Sequence, residues 1–455
     1  MSAQIVDPPP VAADLEDGPL EKRIDKKLDE DSPSVPVDAF GDEENAEVKY
    51  KVLKWWQCGL LMVAETVSLG VLSLPAAVAK LGLVPSVILL VGLGILSTYT
   101  GYVIGQFKWR YPHIHSMADA GEVLMGRFGR ELLGTGQILF LVFIMASHLL
   151  TFTVAMNTIT GHATCSIVFG VVGLVLSCIC SLPRTLSKMS WLSLVSFASV
   201  VSAVFVTMIA LGITQPGSGV AATVPTTLYT GFGAVTNMVT AFSGHVAFFG
   251  LMAELKDPRD YPKALCLLQG SDISLYLIAA LVIYRYAGVD VTSPALGSAG
   301  HTVAKVAYGV ALPTIVIAGV INGHVAVKYV YVRLFRGTSR MHGRDWLAVS
   351  SWIGIAFSLW VLAWVIAEAI PIFSDLLSLI TALFASWFTY GLAGLFWLHL
   401  NRGRYWSSPR KMLLSVLNLC IVGMGACLCG LGLYISGKAI HDDTAGVSFS
   451  CANNV

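Results

Sequence analysis

Two short clusters of small and polar residues interrupt apolar stretches of this chain. The first is Thr66, Val67, Ser68, Leu69 and Gly70, with Glu65 just before it, and the second is Phe242, Ser243, Gly244 and His245. The Glu65 carboxyl can bind a proton or pair with a donor, and His245, whose ordinary pKa is about 6.5, can carry a proton or contact a ligand. Gly244 lets a ligand approach the backbone. A structural hydrogen-bond network is the alternative role for both titratable side chains.

The clusters lie within apolar stretches 55–80 and 234–254, each long enough to cross a bilayer. Backbone groups released by a broken helix must find partners, so such a break is tolerated only where protein, water or a ligand supplies them. The two stretches are the first and sixth apolar segments, which are corresponding positions of two halves. This pairing predicts a secondary transporter with its site between inverted repeats, near the bilayer midplane.

The composition is that of a polytopic membrane protein. Hydrophobic residues make up 55% of the 455 residues, charged residues 13%, and the mean hydropathy is +0.71. Runs of apolar residues predict eleven transmembrane helices in an all-α domain over 49–436, at 55–80, 84–107, 131–157, 164–182, 189–213, 234–254, 264–286, 303–327, 346–370, 373–399 and 412–436.

The distribution of basic residues predicts the orientation. With the N-terminus in the cytoplasm, 25 of the 29 Lys and Arg residues fall on the cytoplasmic side. The C-terminal tail, 437–455, is then outside. Cys165 and Cys451 both fall on that outer side, where they can pair, and the sequence leaves open whether they do.

The N-terminal segment 1–48 differs from the rest of the chain. It holds 14 of the 28 acidic residues, several prolines and few large apolar side chains, so we expect a disordered cytoplasmic tail. Lys22, Lys26 and Lys27 are candidates for ubiquitination by the trafficking machinery, and a plain solvated tail is the alternative.

Other polar residues in the spans are weaker candidates. Asn322, followed by Gly323, combines an amide with room for close approach, so we add Asn322 to the predicted substrate site. Asp272 in the seventh span and His324 in the eighth are further candidates. Glu368 and Asp375 flank the turn between the ninth and tenth spans, near the outer interface, and His148 and Asn157 are expected to bridge neighbouring helices. The cysteines and histidines show no metal-ligand spacing, and the chain shows no clustered motif for an enzyme.

The breaks also indicate the ligand. The half-helix after Gly70 offers free N–H groups and the positive end of its dipole, which favour a carboxylate. Carbonyl oxygens released at the breaks can hold an ammonium group. A ligand with both groups is an amino acid, and the scarcity of charge in the spans favours a neutral side chain.

The sequence resembles the amino acid/auxin permease family, and within it the fungal neutral and aromatic amino acid permeases. The resemblance is carried by four stretches in order: 55–82, 98–121, 235–265 and 319–337. It implies an eleven-helix LeuT-like protein of the amino-acid/polyamine/organocation type, with five-plus-five inverted repeats and one extra helix. The unwound first helix then maps to Thr66 through Gly70, the sixth-helix break to Phe242 through His245, and a cytoplasmic surface helix to Met117 through Phe128.

The resemblance implies proton-coupled import of neutral amino acids, aliphatic and aromatic, across the plasma membrane. Glu65 and His245 are the candidates for proton coupling, and no metal, organic cofactor or nucleic acid is expected. The lipid bilayer and the amino acid are the expected partners. A vacuolar exporter and a transporter-like amino acid sensor remain the alternatives.

Overall fold

The computed structural model describes residues 50–184, 189–217, 219–343, 345–442 and 448–452. The tail predicted over 1–48 lies outside these residues. In the described part, β-structure is limited to one isolated parallel bridge between Leu53 and Leu255, and everything else that is regular is helical.

Five helices precede the span that contains the second cluster of small residues. They are α1 Trp55–Leu81, α2 Leu83–Arg110, α3 Met117–Thr160, α4 Ser166–Cys180 and α5 Met189–Thr214. The next span is divided into α6 Leu228–Ala241 and α7 His245–Ala253, and it is followed by α8 Tyr261–Ala287, α9 His301–Phe335 and α10 Trp346–Ala369. The last part contains α11 Phe373–Ile380, a π-helix Thr381–Gly391, α12 Leu392–Leu400 and α13 Pro409–Asp442.

Each of the eleven predicted segments overlaps helical structure, but not every helix is long enough to be counted as a span. In the described ranges, nine helical segments are long and apolar enough to cross a bilayer, and the two halves of α1 together make a tenth. The exception is α4, whose 15 residues reach about 22 Å at 1.5 Å per residue, less than the hydrocarbon thickness of about 30 Å. An eleventh span is present only if α4 and the residues next to it cross the bilayer together.

Several helices extend past their predicted ends because hydropathy detects only the part inside hydrocarbon. Helix α6 begins at Leu228 and α9 continues to Phe335. At the C-terminus, α13 continues to Asp442, so the tail predicted over 437–455 begins as helix.

Helix α3 contains the predicted surface segment and the third span in one run. Its N-terminus is capped reciprocally, because Asp119 N donates to Ser116 Oγ (3.2 Å) and Ser116 N donates to Asp119 Oδ2 (3.1 Å). Gly126 then departs from helical geometry, with φ 65° and ψ −150°. Glycine adopts this conformation without the steric cost that other residues meet, so the chain turns here from the surface segment into the span.

Large apolar side chains on the outer helices are exposed, as expected where lipid surrounds the protein. Examples on α2, α5, α10 and α13 are Ile88, Ile95, Ile209, Phe357 and Leu413. The interior, by contrast, contains α1, which is buried on nearly all sides, together with the two short helices α6 and α7. These three elements carry both predicted breaks.

Residues near the C-terminus are attached across the ends of α4 and α10. Cys165, just before α4, forms a disulfide with Cys451. Next to it, Ser166 Oγ donates to the Ala452 carbonyl (2.6 Å), and Phe449 N donates to the Glu368 carbonyl (3.1 Å). This face is opposite the one on which α3 begins.

Candidate functional site

The first break is a bend within α1. The segments Trp55–Val67 and Leu69–Leu81 meet at 44°. The Thr66 hydroxyl donates back to the Met62 carbonyl (2.9 Å), and the Thr66 carbonyl accepts a hydrogen bond from the Tyr276 hydroxyl of α8 (3.1 Å). The side chain of Ser68 lies outside the described part of the structure.

The second break separates α6 from α7. The chain leaves α6 at Ala241, and Ser243 Oγ donates to the Thr240 carbonyl (2.6 Å). The Ala241 carbonyl accepts a hydrogen bond from the same Tyr276 hydroxyl (2.8 Å). One tyrosine thus supplies a donor to carbonyl groups at both breaks, in an interior where an unpaired carbonyl is costly.

The two breaks are packed against each other through glycine. A Cβ atom added at Gly244 would lie 2.5 Å from Thr66 Oγ1 and 2.7 Å from Glu65 Oε2. A Cβ atom added at Gly70 would lie 2.7 Å from the Ala241 Cα. All three distances are too short for real Cβ contacts, so the absence of a side chain at these two positions allows α1 to approach the second break.

A cavity of about 30 Å³ lies between the breaks. Its lining comprises Glu65, Thr66, Leu69, Gly70, Ile144, His148, Thr240, Ser243, Gly244 and Leu377. A cavity needs about 10–15 Å³ of such space to hold one water, so this one has room for about two waters, and an amino acid enters only after the surrounding helices move apart. The lining has a carboxyl group, three hydroxyl groups, an imidazole and several aliphatic side chains.

Six of the predicted site residues meet at this cavity, and four others lie elsewhere. Those that meet are Glu65, Thr66, Leu69, Gly70, Ser243 and Gly244. Val67 and Phe242 are buried in the surrounding core, and the Phe242 ring packs edge-on against Tyr276 with centroids 5.2 Å apart. Asn322 Nδ2 donates to the Ala318 carbonyl of its own helix (3.1 Å).

His245 begins α7, but its ring is directed towards α2. Its Nε2 lies 3.0 Å from Thr100 Oγ1 and 3.0 Å from the Ser97 carbonyl oxygen. The ring also packs on Phe248, with centroids 4.6 Å apart. His245 therefore joins the second break to α2 and does not line the cavity.

The structure adds residues that sequence reasoning did not place in the site. Ile144 and His148 lie one turn apart on α3, Thr240 precedes the second break, and Leu377 comes from α11. His148 Nδ1 lies 2.8 Å from the Ile315 carbonyl oxygen, which agrees with the helix-bridging role expected for it. The i, i+4 spacing of Ile144 and His148 is a usable signal, whereas nothing local distinguishes Leu377.

The face of the protein on which α3 begins carries most of the described Lys and Arg residues and is called the basic face below. There the strand-like segment before α1 pairs with the end of α7: Leu53 N donates to the Glu254 carbonyl (3.0 Å), and Lys256 N donates to the Leu53 carbonyl (2.9 Å). Lys328 Nζ of α9 lies 2.5 Å from Glu254 Oε1 in a buried ion pair and 4.1 Å from the centre of the Tyr50 ring. These contacts close the basic face beneath the cavity.

A larger cleft of about 310 Å³ opens on the same face. Its lining comprises His115, Ser116, Ala118, Asp119, Glu122, Arg130, Tyr329, Val332, Arg333 and Arg336. A small cavity of about 10 Å³, lined in part by His115, Tyr329 and Lys328, lies between this cleft and the interior. Burial holds the pKa of His115 well below its ordinary value, and the nearby Asp119 carboxyl opposes this effect.

In the residues that the structure describes, no group of three or more His, Cys, Asp and Glu side chains is arranged to hold a metal ion. The groups at the breaks offer hydrogen bonding, a helix-end dipole and proton exchange with carboxyl and imidazole groups.

Comparisons with known proteins find similar sequences over most of the chain. The family model described as "Transmembrane amino acid transporter protein" matches residues 51–437. The "N amino acid transport system protein" of Neurospora crassa is 38% identical over 433 residues, covering 91% of this chain and 92% of the relative. A "Transmembrane transporter" of Fusarium pseudograminearum is 30% identical, covering 90% of each chain.

Two solved structures share the fold at low sequence identity. MhsT in complex with L-phenylalanine has a TM-score of 0.54 at 13% identity, covering 86% of this chain and 100% of that one. MHP1, a nucleobase-cation-symport-1 family transporter in a closed conformation, has a TM-score of 0.55 at 13% identity, covering 91% of this chain and 98% of that one.

Proposed function

Because the chain belongs to the transmembrane amino acid transporter family, we propose that it imports neutral amino acids by proton symport and alternating access. The observation that carries this proposal is the meeting of the α1 bend with the α6–α7 break around one small polar cavity, joined by the Tyr276 hydroxyl. Broken spans at the interface of two halves are how secondary transporters build a substrate site.

The substrate class follows from the groups at the breaks. Helix α1 bends without unwinding, whereas α7 begins beside Gly244 and presents its N-terminus to the cavity, where a carboxylate is stabilised. Leu69, Ile144 and Leu377 offer an apolar surface to a side chain, and none of the lining residues is Lys or Arg. A neutral amino acid fits both features. The L-phenylalanine bound in the MhsT structure is compatible with a substrate of this class.

For the coupling ion we propose a proton carried at Glu65. Its carboxyl lines the cavity beside Gly244, and its Oε2 atom makes no hydrogen bond within the described residues. His245 was the other sequence candidate, and its ring contacts α2 instead. Movement of one proton with the substrate adds the membrane potential, worth about 2.3 kcal/mol per charge per 100 mV.

We also propose eleven spans with five-plus-five inverted repeats, the N-terminus in the cytoplasm and the C-terminus outside the plasma membrane. The Cys165–Cys451 disulfide supports this orientation, since disulfides persist in oxidising compartments and this one lies opposite the basic face. The described conformation is closed at the basic face, so release into the cytoplasm requires α7 to separate from α9 and from the segment before α1.

The proposed function is tested by uptake of labelled phenylalanine, leucine, alanine, arginine and glutamate. Permease-deficient cells expressing the chain are assayed at acidic and neutral external pH, with and without sodium, and a C-terminal tag reports the compartment. We expect acid-stimulated, sodium-independent uptake of the three neutral compounds. A tag confined to the vacuolar membrane would instead make the protein an exporter from that organelle. Surface protein without uptake would favour a sensor.

A further inference from the structure

A second carboxyl group is buried near the first break. Asp272 lies in α8, fully buried, and neither of its carboxyl oxygens has a hydrogen-bond partner among the described residues. A charged carboxylate without a partner is costly in an apolar interior. The proposed function, as argued so far, assigns no role to Asp272.

The position of Asp272 relates it to Glu65. Tyr276 lies one turn further along α8 and donates its hydroxyl to the carbonyl of Thr66, the residue after Glu65. Asp272 and Tyr276 therefore share the face of α8 that packs on the α1 bend. Both acids therefore belong to the contact between α1 and α8, and Glu65 Oε2 also lacks a hydrogen-bond partner in the described part of the chain.

The groups that face the two acids do not neutralise them. Tyr276 comes from α8 and His148 from α3, where it lines the cavity with Glu65. His245 of α7 turns its ring to α2, and Lys328 of α9 lies at the basic face in its own ion pair. Helices α5 and α6 contain no acid, histidine, lysine or arginine, and the two basic residues of α2, Lys108 and Arg110, lie in its last turn.

We propose that Glu65 and Asp272 form one proton-binding site in which the two carboxyl groups share a proton. The proposal rests on the proton-coupled transport proposed above and deepens it. Two like charges repel strongly in a low-dielectric interior, whereas one protonated carboxyl can donate a hydrogen bond to the other carboxylate. The pair titrates as a unit rather than as two separate acids.

The site links proton binding to helix position. A proton from outside water bonds to one carboxylate oxygen, and the same O–H bond breaks when the proton leaves to the opposite side. With the proton bound, the acids attract, and α1 is held against α8 beside Gly244. With the proton lost, the acids repel, which favours separation of α1 from α8. Protonation therefore shifts the population of the two arrangements at the substrate site.

The test uses the full chain in proteoliposomes with an imposed pH gradient. We expect the wild type to accumulate labelled phenylalanine about tenfold for each pH unit, as one-to-one coupling requires. Asp272→Asn is expected to abolish accumulation but to retain exchange of labelled for unlabelled phenylalanine, which needs no net proton movement. Asp260→Asn, a partly exposed acid immediately before the same helix, is the matched control and keeps the wild-type gradient response. Unchanged accumulation by Asp272→Asn overturns the proposal.

A second measurement does not depend on transport or on folding of the variant. Dicyclohexylcarbodiimide enters apolar interiors and converts protonated carboxyl groups to N-acylurea adducts. In the wild type we expect an adduct on Glu65 or Asp272 by mass spectrometry, decreasing as the pH rises. If neither Glu65 nor Asp272 forms an adduct at any pH, the shared site is overturned, even if transport is proton-coupled. Adduct formation without accumulation by the wild type would leave the shared site standing and remove the proposed proton symport.

Discussion

The Tyr276 hydroxyl on α8 donates a hydrogen bond to the main-chain carbonyl of Ala241, 2.8 Å away, at the point where α6 ends. The same hydroxyl reaches the Thr66 carbonyl on α1. A single side chain on a neighbouring helix thus fixes the distance between the two breaks. The cavity keeps its shape because the carbonyls on both sides share a donor.

Tyr276→Phe tests this bridge directly. The change removes the hydroxyl and leaves the ring, so the packing on Phe242 is retained. A net hydrogen bond is worth about 1 kcal/mol, so we expect the KM for uptake to rise about fivefold, with normal membrane insertion. Tyr284→Phe is the control. Tyr284 lies on the same helix as Tyr276 but away from the breaks, and its hydroxyl accepts a hydrogen bond from Ala221 N. Equal effects of both variants would show that the bridge has no special role.

Side chains added at Gly244 or Gly70 are expected to abolish uptake without preventing insertion. Gly244→Leu would collide with Thr66 and Glu65, and Gly70→Leu with the Ala241 backbone. The smaller Gly244→Ala adds a methyl group 2.7 Å from the Glu65 carboxyl, and overpacking of this kind costs about 1–3 kcal/mol. We therefore expect uptake to fall about tenfold.

Gly233→Ala serves as the control for the glycine variants. It lies on α6, and a Cβ atom there meets no heavy atom within 4 Å. Uptake by Gly233→Ala should equal that of the wild type. Wild-type uptake by both leucine variants would exclude the breaks as the substrate site.

The two breaks were predictable because small and polar residues are conspicuous inside apolar spans. The neighbours that complete the cavity were not, since Leu377 is an apolar residue in an apolar helix and only tertiary packing brings it to the site. The orientation of His245 was also hidden, because it depends on the approach of Thr100 and Ser97 from α2. The i, i+4 spacing of Asp272 and Tyr276 is a sequence signal, because it places two polar side chains on one face of an apolar helix, and it could have indicated Tyr276 as a site residue.

For the helices too, the sequence predicted some features and not others. Hydropathy located each helical stretch but not the polar continuation of α9 to Phe335, and it did not reveal that α4 is too short to span hydrocarbon by itself. The π-helical geometry over Thr381–Gly391 has no local sequence signal of the kind that glycine or proline provides. Helix α13 packs closely on this segment, because a Cβ atom added at Gly425 would lie 2.8 Å from the Ser386 carbonyl oxygen.

The buried ion pair of Lys328 with Glu254 is expected to hold the basic face closed. Lys328→Met removes the cation that faces the Glu254 carboxylate, and loss of one member of a buried pair costs about 3–5 kcal/mol. Cys58, buried between α1 and α7, reports on opening. We expect its alkylation by a permeant maleimide to become at least about tenfold faster, measured on its own peptide.

Lys263→Met is the matched control, because its ion pair with Asp260 is exposed. It should leave Cys58 alkylation unchanged. Adding Glu254→Gln to Lys328→Met should restore slow alkylation, since the double variant no longer buries a single charge. Slow alkylation in Lys328→Met alone would mean that the ion pair does not control closure.

His115 makes the basic face sensitive to acid. Burial holds its pKa well below the ordinary value, with Asp119 opposing and Lys328, Lys108 and Arg336 adding to the effect. Below about pH 6.5, His115 therefore binds a proton in the unfolded chain but stays neutral in the folded chain. Because of this group, the free energy of unfolding decreases as the pH falls below that value, by about 1.4 kcal/mol per pH unit.

His115→Gln should remove this contribution. We expect the Tm of the purified variant to decline less than that of the wild type between neutral and mildly acidic pH. His301→Gln, an exposed position at the start of α9, should decline as the wild type does. Parallel curves for the wild type and His115→Gln would assign the acid sensitivity to other groups.

The Cys165–Cys451 disulfide provides a test of orientation. It lies opposite the basic face, so the proposed topology places it outside the cell. In intact cells an impermeant maleimide should label neither cysteine until an impermeant reductant is added, after which both should react. Cys165→Ser should expose Cys451 to labelling without reductant. Because the two residues are held together across 286 positions of sequence, labelling that required permeabilised cells would place both the α3–α4 loop and the C-terminus inside and reverse the whole topology.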